Sequence, residues 1–191
     1  MATRKPAKDR PGTPLDNRNF LSPTGFKFTL SRAPKVAFFS NSANIPGMTL
    51  GVAIQPSYLK DIDTPGDKII FDDFTLRFLV DEDLKNYMEI HNWIRGLGFP
   101  DSLKDIYDLQ NQKEYVDMSK SKKMNLYSDG TLTILNSGMN PNFKVKFNDL
   151  WPYSLSTLNF DATDGDIEYF TADVTFKYTI YEITDLNGNP L

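Results

Sequence analysis

Hydrophobic and polar residues alternate along much of this chain. Phe26, Phe28 and Leu30 are interleaved with Lys27, Thr29 and Ser31, a period of two that predicts a half-buried strand. After Ala33-Pro34, the run Val36 to Phe39 fits either a second strand or a short turn of helix. Ser40 to Gly47 reads as a loop by composition. The stretch from Met48 to Ile70 alternates weakly around Pro56 and Pro65-Gly66-Asp67. It predicts a pair of extended arms with the prolines at edges or turns. Asp72 to Val80 is the clearest strand, with Phe74, Leu76, Phe78 and Val80 on one face and Thr75, Arg77 and Leu79 on the other.

The period then changes. Asp81-Glu82-Asp83 places acids where a helix amino terminus favours negative charge. Leu84, Tyr87, Met88, His91 and Ile94 recur at helical spacing, and Arg95-Gly96 supplies a carboxy-terminal stop. One amphipathic helix over about residues 82–95 is expected. Residues 97–122 are polar and mixed, a surface insertion with a short helix from Leu103 to Gln110. Strands resume at Lys123 to Tyr127, turn at Ser128-Asp129-Gly130 and continue through Leu132 and Ile134. A second turn at Asn136 to Asn142 leads into Phe143, Val145 and Phe147, which suggests successive hairpins. Leu155 to Phe160 predicts another strand and Asp161 to Asp166 its turn. Alternation from Ile167 to Ile183 predicts a closing strand long enough to be central or to act as a template for another chain. The order of elements gives an α+β protein, mainly β: an antiparallel sandwich or barrel with one flanking helix.

Composition narrows what such a fold could do. A chain of 191 residues suits one domain, with or without an arm, and buries roughly 70% of its unfolded surface without a covalent staple. The absence of Cys excludes disulfides, thiolate metal sites and a cysteine nucleophile. A single His excludes any site built on two imidazoles. The longest apolar runs, Val36 to Phe39 and Phe78 to Val80, are too short to span a bilayer. No apolar segment follows Arg4-Lys5 as a secretory signal would require, so no membrane partner is expected.

Charge is unevenly spread. Residues 1–18 hold five basic residues against Asp9 and Asp16, a balance of +3 that leaves −7 for the remainder of a chain of net charge −4. With Pro6, Pro11 and Pro14 and almost no large apolar residue, this segment reads as a flexible basic arm. It either grips nucleic acid or orders against a neighbouring subunit or the domain's own acidic surface. The second reading is favoured, because the arm lacks a dense Lys/Arg block and aromatics for stacking. The expected organisation is therefore an arm at 1–18, a barrel domain at 19–184 and a tail at 185–191.

Candidate chemistry is sparse. His91, beside Tyr87, Met88 and Ile94, reads as a partly buried structural histidine, and no nucleophile-elbow sequence accompanies it. Asp72 and Asp73 are neighbours on a strand and point to opposite faces. Asp161, Asp164, Asp166 and Glu168 miss the calcium-loop spacing and read as a solvated turn. Gly96-Leu97-Gly98 follows a helix, not the strand that a phosphate loop requires. No enzyme, metal or cofactor is expected.

Four stretches carry a family likeness. They are Phe26 to Leu30 with Ala43-Asn44-Ile45-Pro46-Gly47; Pro65 to Leu76 with its Gly-Asp-x-x-x-Phe-Asp-Asp core, running into the helix at Trp93-Ile94; Leu150-Trp151-Pro152-Tyr153-Ser154-Leu155; and Ile167 to Tyr178. In this order they resemble the tail tube proteins of contractile-tailed bacteriophages of the T-even type, over roughly residues 20–183. The resemblance implies a structural virion protein whose barrels form sixfold rings, stacked into a hollow tube that conducts DNA without binding it specifically. Residues 46–70 would reach the next ring through Met48, Leu50, Val52, Ile54, Tyr58 and Leu59. Adjacent sheets would join edge to edge, with Thr171, Asp173, Thr175 and Lys177 on the intersubunit strand. Implied partners are further copies of the chain, the tail sheath protein, a tape-measure protein in the lumen, and baseplate and neck proteins, in a tail assembled in the host cytoplasm. A tube-initiating or tube-terminating ring at the baseplate or neck shares this fold and stays open. So does a reading of another class, a nucleic-acid-binding module that uses the basic arm.

Overall fold

Alternation becomes strand where one face of a segment is buried. The computed structural model describes residues 20–110, 126–160 and 169–191. The arm at 1–18, residues 123–125 of the predicted strand and the acidic cluster at 161–168 lie outside the described residues. β1 (Phe26–Leu30) turns Phe28 and Leu30 inward and leaves Lys27 and Thr29 exposed. Pro34 sits at the first helical turn, where its missing N–H removes no bond, and starts the short helix α1 (Pro34–Phe38). β2 (Ser40–Ala43), β3 (Met48–Gln55), β4 (Ile62–Phe71) and β5 (Phe74–Leu79) follow. Next come α2 (Lys85–Gly98), α3 (Leu103–Gln110), β6 (Ser128–Leu135), β7 (Pro141–Leu155), β8 (Thr171–Lys177) and β9 (Ile180–Thr184).

Seven strands form one antiparallel sheet in the order β1-β6-β7-β8-β5-β2, with β9 also paired to β7. The first part of β7 pairs with β6 and β9, and Trp151–Leu155 pairs with β8. Between the two parts Asp149 adopts a left-handed φ of 55° beside a register shift against β6. Such a bulge bends a strand enough for it to pass from one layer to the other. The sheet curls on itself: Phe28 on β1 and Phe74 on β5, distant in strand order, have ring centroids 5.2 Å apart. Phe74 also meets Phe147 at 4.5 Å and Phe176 at 6.0 Å. The architecture is thus the expected antiparallel barrel-like sandwich with α2 on its flank, accompanied by two shorter helices.

Several local expectations are corrected. The buried face of α2 is Asn86, Ile90, Trp93 and Gly96, while Leu84, Met88 and His91 are exposed. Hydrogen bonds and bulk set this rotation. The Trp93 indole N–H donates to the Leu126 carbonyl at 3.0 Å, and the Arg32 guanidinium lies 5.2 Å over its ring. Asn86 donates to the Leu79 carbonyl and accepts from the Asp81 and Tyr87 amides, which ties the end of β5 to the start of the helix. Gly96 does not stop α2. A Cβ there would come within 2.9 Å of Leu109, so the glycine lets α3 pack close. Ser128-Asp129-Gly130 is not a turn but the start of β6, with Gly130 against Phe28 and Leu150. β7 ends at Leu155, and residues 156–160 are irregular instead of forming a strand. The closing strand is two, because pairing stops at Tyr178-Thr179 between β8 and β9. Residues 185–191 fold back on β9, held by amides of Asn187 and Asn189 donating to the Asp185 carboxylate.

Candidate assembly interface

Among the described residues β3 and β4 pair with each other and with no other strand. They form a two-stranded arm outside the barrel. Its register puts Met48 opposite Phe71 and Leu50 opposite Ile69 on one face, then Val52 opposite Pro65 and Ile54 opposite Asp63. The register shifts between Leu50 and Val52, where Gly66 lies against Gly51 so closely that a Cβ would sit 2.6 Å from the Gly51 carbonyl oxygen. The tip carries Tyr58 and Leu59, which are 101% and 91% exposed. Met48, Leu50, Val52 and Ile54 are exposed as well. A two-stranded ribbon is marginal in water by itself, and this one carries its apolar side chains exposed along its length.

The barrel holds this arm by its base. The Asp72 amide donates to the Gly47 carbonyl at 3.0 Å, closing the two legs. From the β8–β9 junction, the Tyr178 hydroxyl donates to the Asp72 carbonyl at 2.7 Å and the Tyr181 hydroxyl to the Pro46 carbonyl at 3.1 Å. Phe71 packs on both tyrosine rings, at 6.2 and 5.5 Å. Lys177 pairs with Asp73 at 2.5 Å. One short segment therefore grips both legs of the arm, a role that its alternating sequence gave no sign of.

Burial, followed by the charges of Tyr181, Asp73 and Asp72, pushes the Tyr178 hydroxyl up to about 12. A pKa raised on folding contributes stability that is complete below pH 10 and is lost as the pH climbs towards 12. We expect the arm's base to loosen in that window, seen as a fall in the Asp72 amide's protection relative to its intrinsic exchange rate at each pH. The double variant Tyr178→Phe, Tyr181→Phe keeps both rings and loses both donors, each worth about 1 kcal/mol. It is expected to show fast exchange at Asp72 already at neutral pH.

The other predicted contact strand is placed differently. Within the chain β8 lies between β5, which pairs residues 171–176, and β7, which pairs residues 174–177. Thr171, Asp173, Thr175 and Lys177 alternate with the buried Ala172, Val174 and Phe176, so they lie on the outer face of the sheet. Asp173 accepts two hydrogen bonds from Arg77. The ends of the strand path are β1 and β2. His91 is exposed, not partly buried, and opens on a cleft of about 510 Å³ shared with Tyr87, Arg95 and Tyr153.

A family model described as phage tail tube protein matches residues 14–184. The chain belongs to that family. No curated protein sequence matches it significantly. Among solved structures, this tail tube family member is similar to a chain of the anti-feeding prophage tube-terminating cap, at 16% identity and TM-score 0.56 over 91% of this chain and 97% of that one. It is also similar to a chain of the anti-feeding prophage baseplate (12% identity, TM-score 0.53, 92% and 98% covered). A third is a chain of the extended sheath–tube complex of PVC, an extracellular contractile injection system (14% identity, TM-score 0.51, 88% and 94% covered). At such identities the likeness is one of fold. The exposed arm and the barrel of this tail tube family member both lie within the matched residues.

Proposed function

We propose that this protein is a non-enzymatic structural subunit of a virion tail tube, assembling into stacked sixfold rings around a channel that conducts DNA. The observation that carries the reading is the arm: a ribbon with apolar side chains in water and, among the described residues, no partner strand in its own barrel. Covering such a ribbon with another copy removes its apolar side chains from water. A head-to-tail contact of this kind extends along one axis without limit, while a second contact closes the ring. The −7 balance of residues 19–191 suits a conduit for a polyanion, since a wall rich in unpaired cations would retain DNA. Sheath, baseplate, neck and tape-measure proteins are the partners that such a tube needs.

The likeness to a terminating-cap chain favours a second reading within the same family, a ring that ends the tube. Sedimentation and negative-stain microscopy of the purified chain across concentrations separate the two. A repeating subunit gives tubes that lengthen with concentration, and a terminator gives rings that do not grow. DNA affinity should be negligible at low salt in both cases. A chain that stays monomeric throughout and binds DNA with steep salt dependence would overturn both in favour of the nucleic-acid-binding module.

A further inference from the structure

The arm leaves the barrel at one end of β5, and a second apolar surface lies at the other. Phe71, Asp72 and Asp73 precede Phe74 at the arm's end, with Lys177 and Tyr178 alongside. At the far end, about 20 Å away along this six-residue strand, the Leu79 amide donates to the Phe39 carbonyl and Leu79 pairs with Thr171. The Val80 amide donates to the Phe170 carbonyl. Phe38 stacks edge-on against Phe39 at 5.1 Å, and Phe160 packs on Phe170 at 4.7 Å. Phe38, Phe160 and Tyr169 are 81%, 76% and 83% exposed. The two ring pairs thus flank the end of β5, with exposed rings on both sides of it.

We propose that this aromatic patch is the seat for the arm of a second copy, the acceptor half of a head-to-tail contact. The proposal rests on the reading of the arm given above and adds where the arm lands. The two surfaces match in chemistry. The tip offers Tyr58 and Leu59, and the patch offers Phe38, Phe39, Leu79, Phe160 and Phe170. They match in reach too, since the eight residues of β3 span about 26 Å. An aromatic side chain carries about 150–250 Å², so the three most exposed rings of the patch hold about 350–600 Å². The tip and the arm's apolar flank hold as much again, which brings the contact to the roughly 1,000 Å² that a specific interface requires. Donor and acceptor at opposite ends of one sheet make the contact heterologous and open, the geometry of an indefinitely growing stack.

Two full-length variants with opposite defects test this. One carries Phe38→Asp and Phe160→Asp on the patch, and the other carries Tyr58→Asp and Leu59→Asp on the arm. All four residues are exposed, so both proteins should keep the parent's circular dichroism and melting temperature. Each alone is expected to stop at single rings. Mixed, they should form two-ring particles and nothing longer, because only one working arm and one working patch meet. The chain lacks cysteine, so Leu59→Cys mixed with Phe38→Cys, with oxidised glutathione added to take up the two electrons, should give a disulfide-linked dimer that neither variant forms alone. Normal tubes from the patch variant, with none from the arm variant, would overturn the seat and leave the arm's role standing. Failure of the mixed variants to pair, or of the cysteine pair to cross-link, would also overturn the seat. Normal tubes from both variants, or a parent that never assembles, would remove the reading of the arm and the seat together.

Discussion

Excising the arm should abolish stacking while leaving the barrel folded. Thr49 and Ile70 are directly opposite in the hairpin register, two positions along from Gly47 and Asp72, whose hydrogen bond puts Thr49 and Ile70 in a hydrogen-bonded pair. Replacing residues 50–69 by Asn-Gly therefore recloses the ribbon with a two-residue turn of the favoured type. Phe71 stays on Tyr178 and Tyr181, and the Gly47–Asp72 and Tyr–carbonyl bonds are kept. Nothing in the barrel core is touched, because no residue of β3 or β4 belongs to it. The melting temperature should therefore move by no more than about 3 °C, the equivalent of roughly 1 kcal/mol in a domain of this size. Solubility should rise, since Leu50, Val52, Ile54, Tyr58 and Leu59 no longer face water. Tubes should fall below detection by negative stain at concentrations where the parent polymerises. Tubes of normal length from the excised protein would remove the arm from any role in assembly.

What the sequence showed and what it hid divide along a physical line. β1 and β5 were legible because each buries one face, and burial of a face writes a period of two into the chain. The arm was legible as two extended segments around Pro65-Gly66, but alternation does not say what a strand pairs with, so its isolation from the barrel was not. The helix was found and its face misjudged. Hydrophobicity counts Met88 and His91 towards the stripe and Asn86 against it, whereas three hydrogen bonds bury Asn86. Gly96 and Gly130 read as punctuation, yet each makes room for a neighbour, Leu109 in one case and Phe28 with Leu150 in the other. The tyrosine grip was invisible for a simpler reason. Tyr178 and Tyr181 meet carbonyls 106 and 135 residues away in sequence, and no local pattern encodes such a meeting.

The barrel's stability should depend most steeply on Phe74. Its side chain has no exposed surface and contacts the rings of Phe28, Phe147 and Phe176, drawn from β1, β7 and β8. Each of those strands is pinned by its own ladder bonds, so the walls cannot close on a cavity left behind. Phe74→Ala is then expected to cost about 4 kcal/mol and to lower the melting temperature by about 10 °C or more. Met88→Ala on α2 is the matched control. Met88 belongs to the stripe that helical spacing predicts, but it is exposed in the fold, so its removal should cost less than about 1 kcal/mol. Thermal and urea melts of Met88→Ala beside Ile90→Ala, whose side chain is fully buried on the same helix and should cost about 2 kcal/mol or more, decide between the faces. Equal losses, or a larger loss from Met88→Ala, would put α2 back in the orientation that hydrophobicity alone suggests. The expected order follows from the face of α2 that carries Asn86, Ile90 and Trp93, where Asn86 also bonds the Leu79 carbonyl at the end of β5.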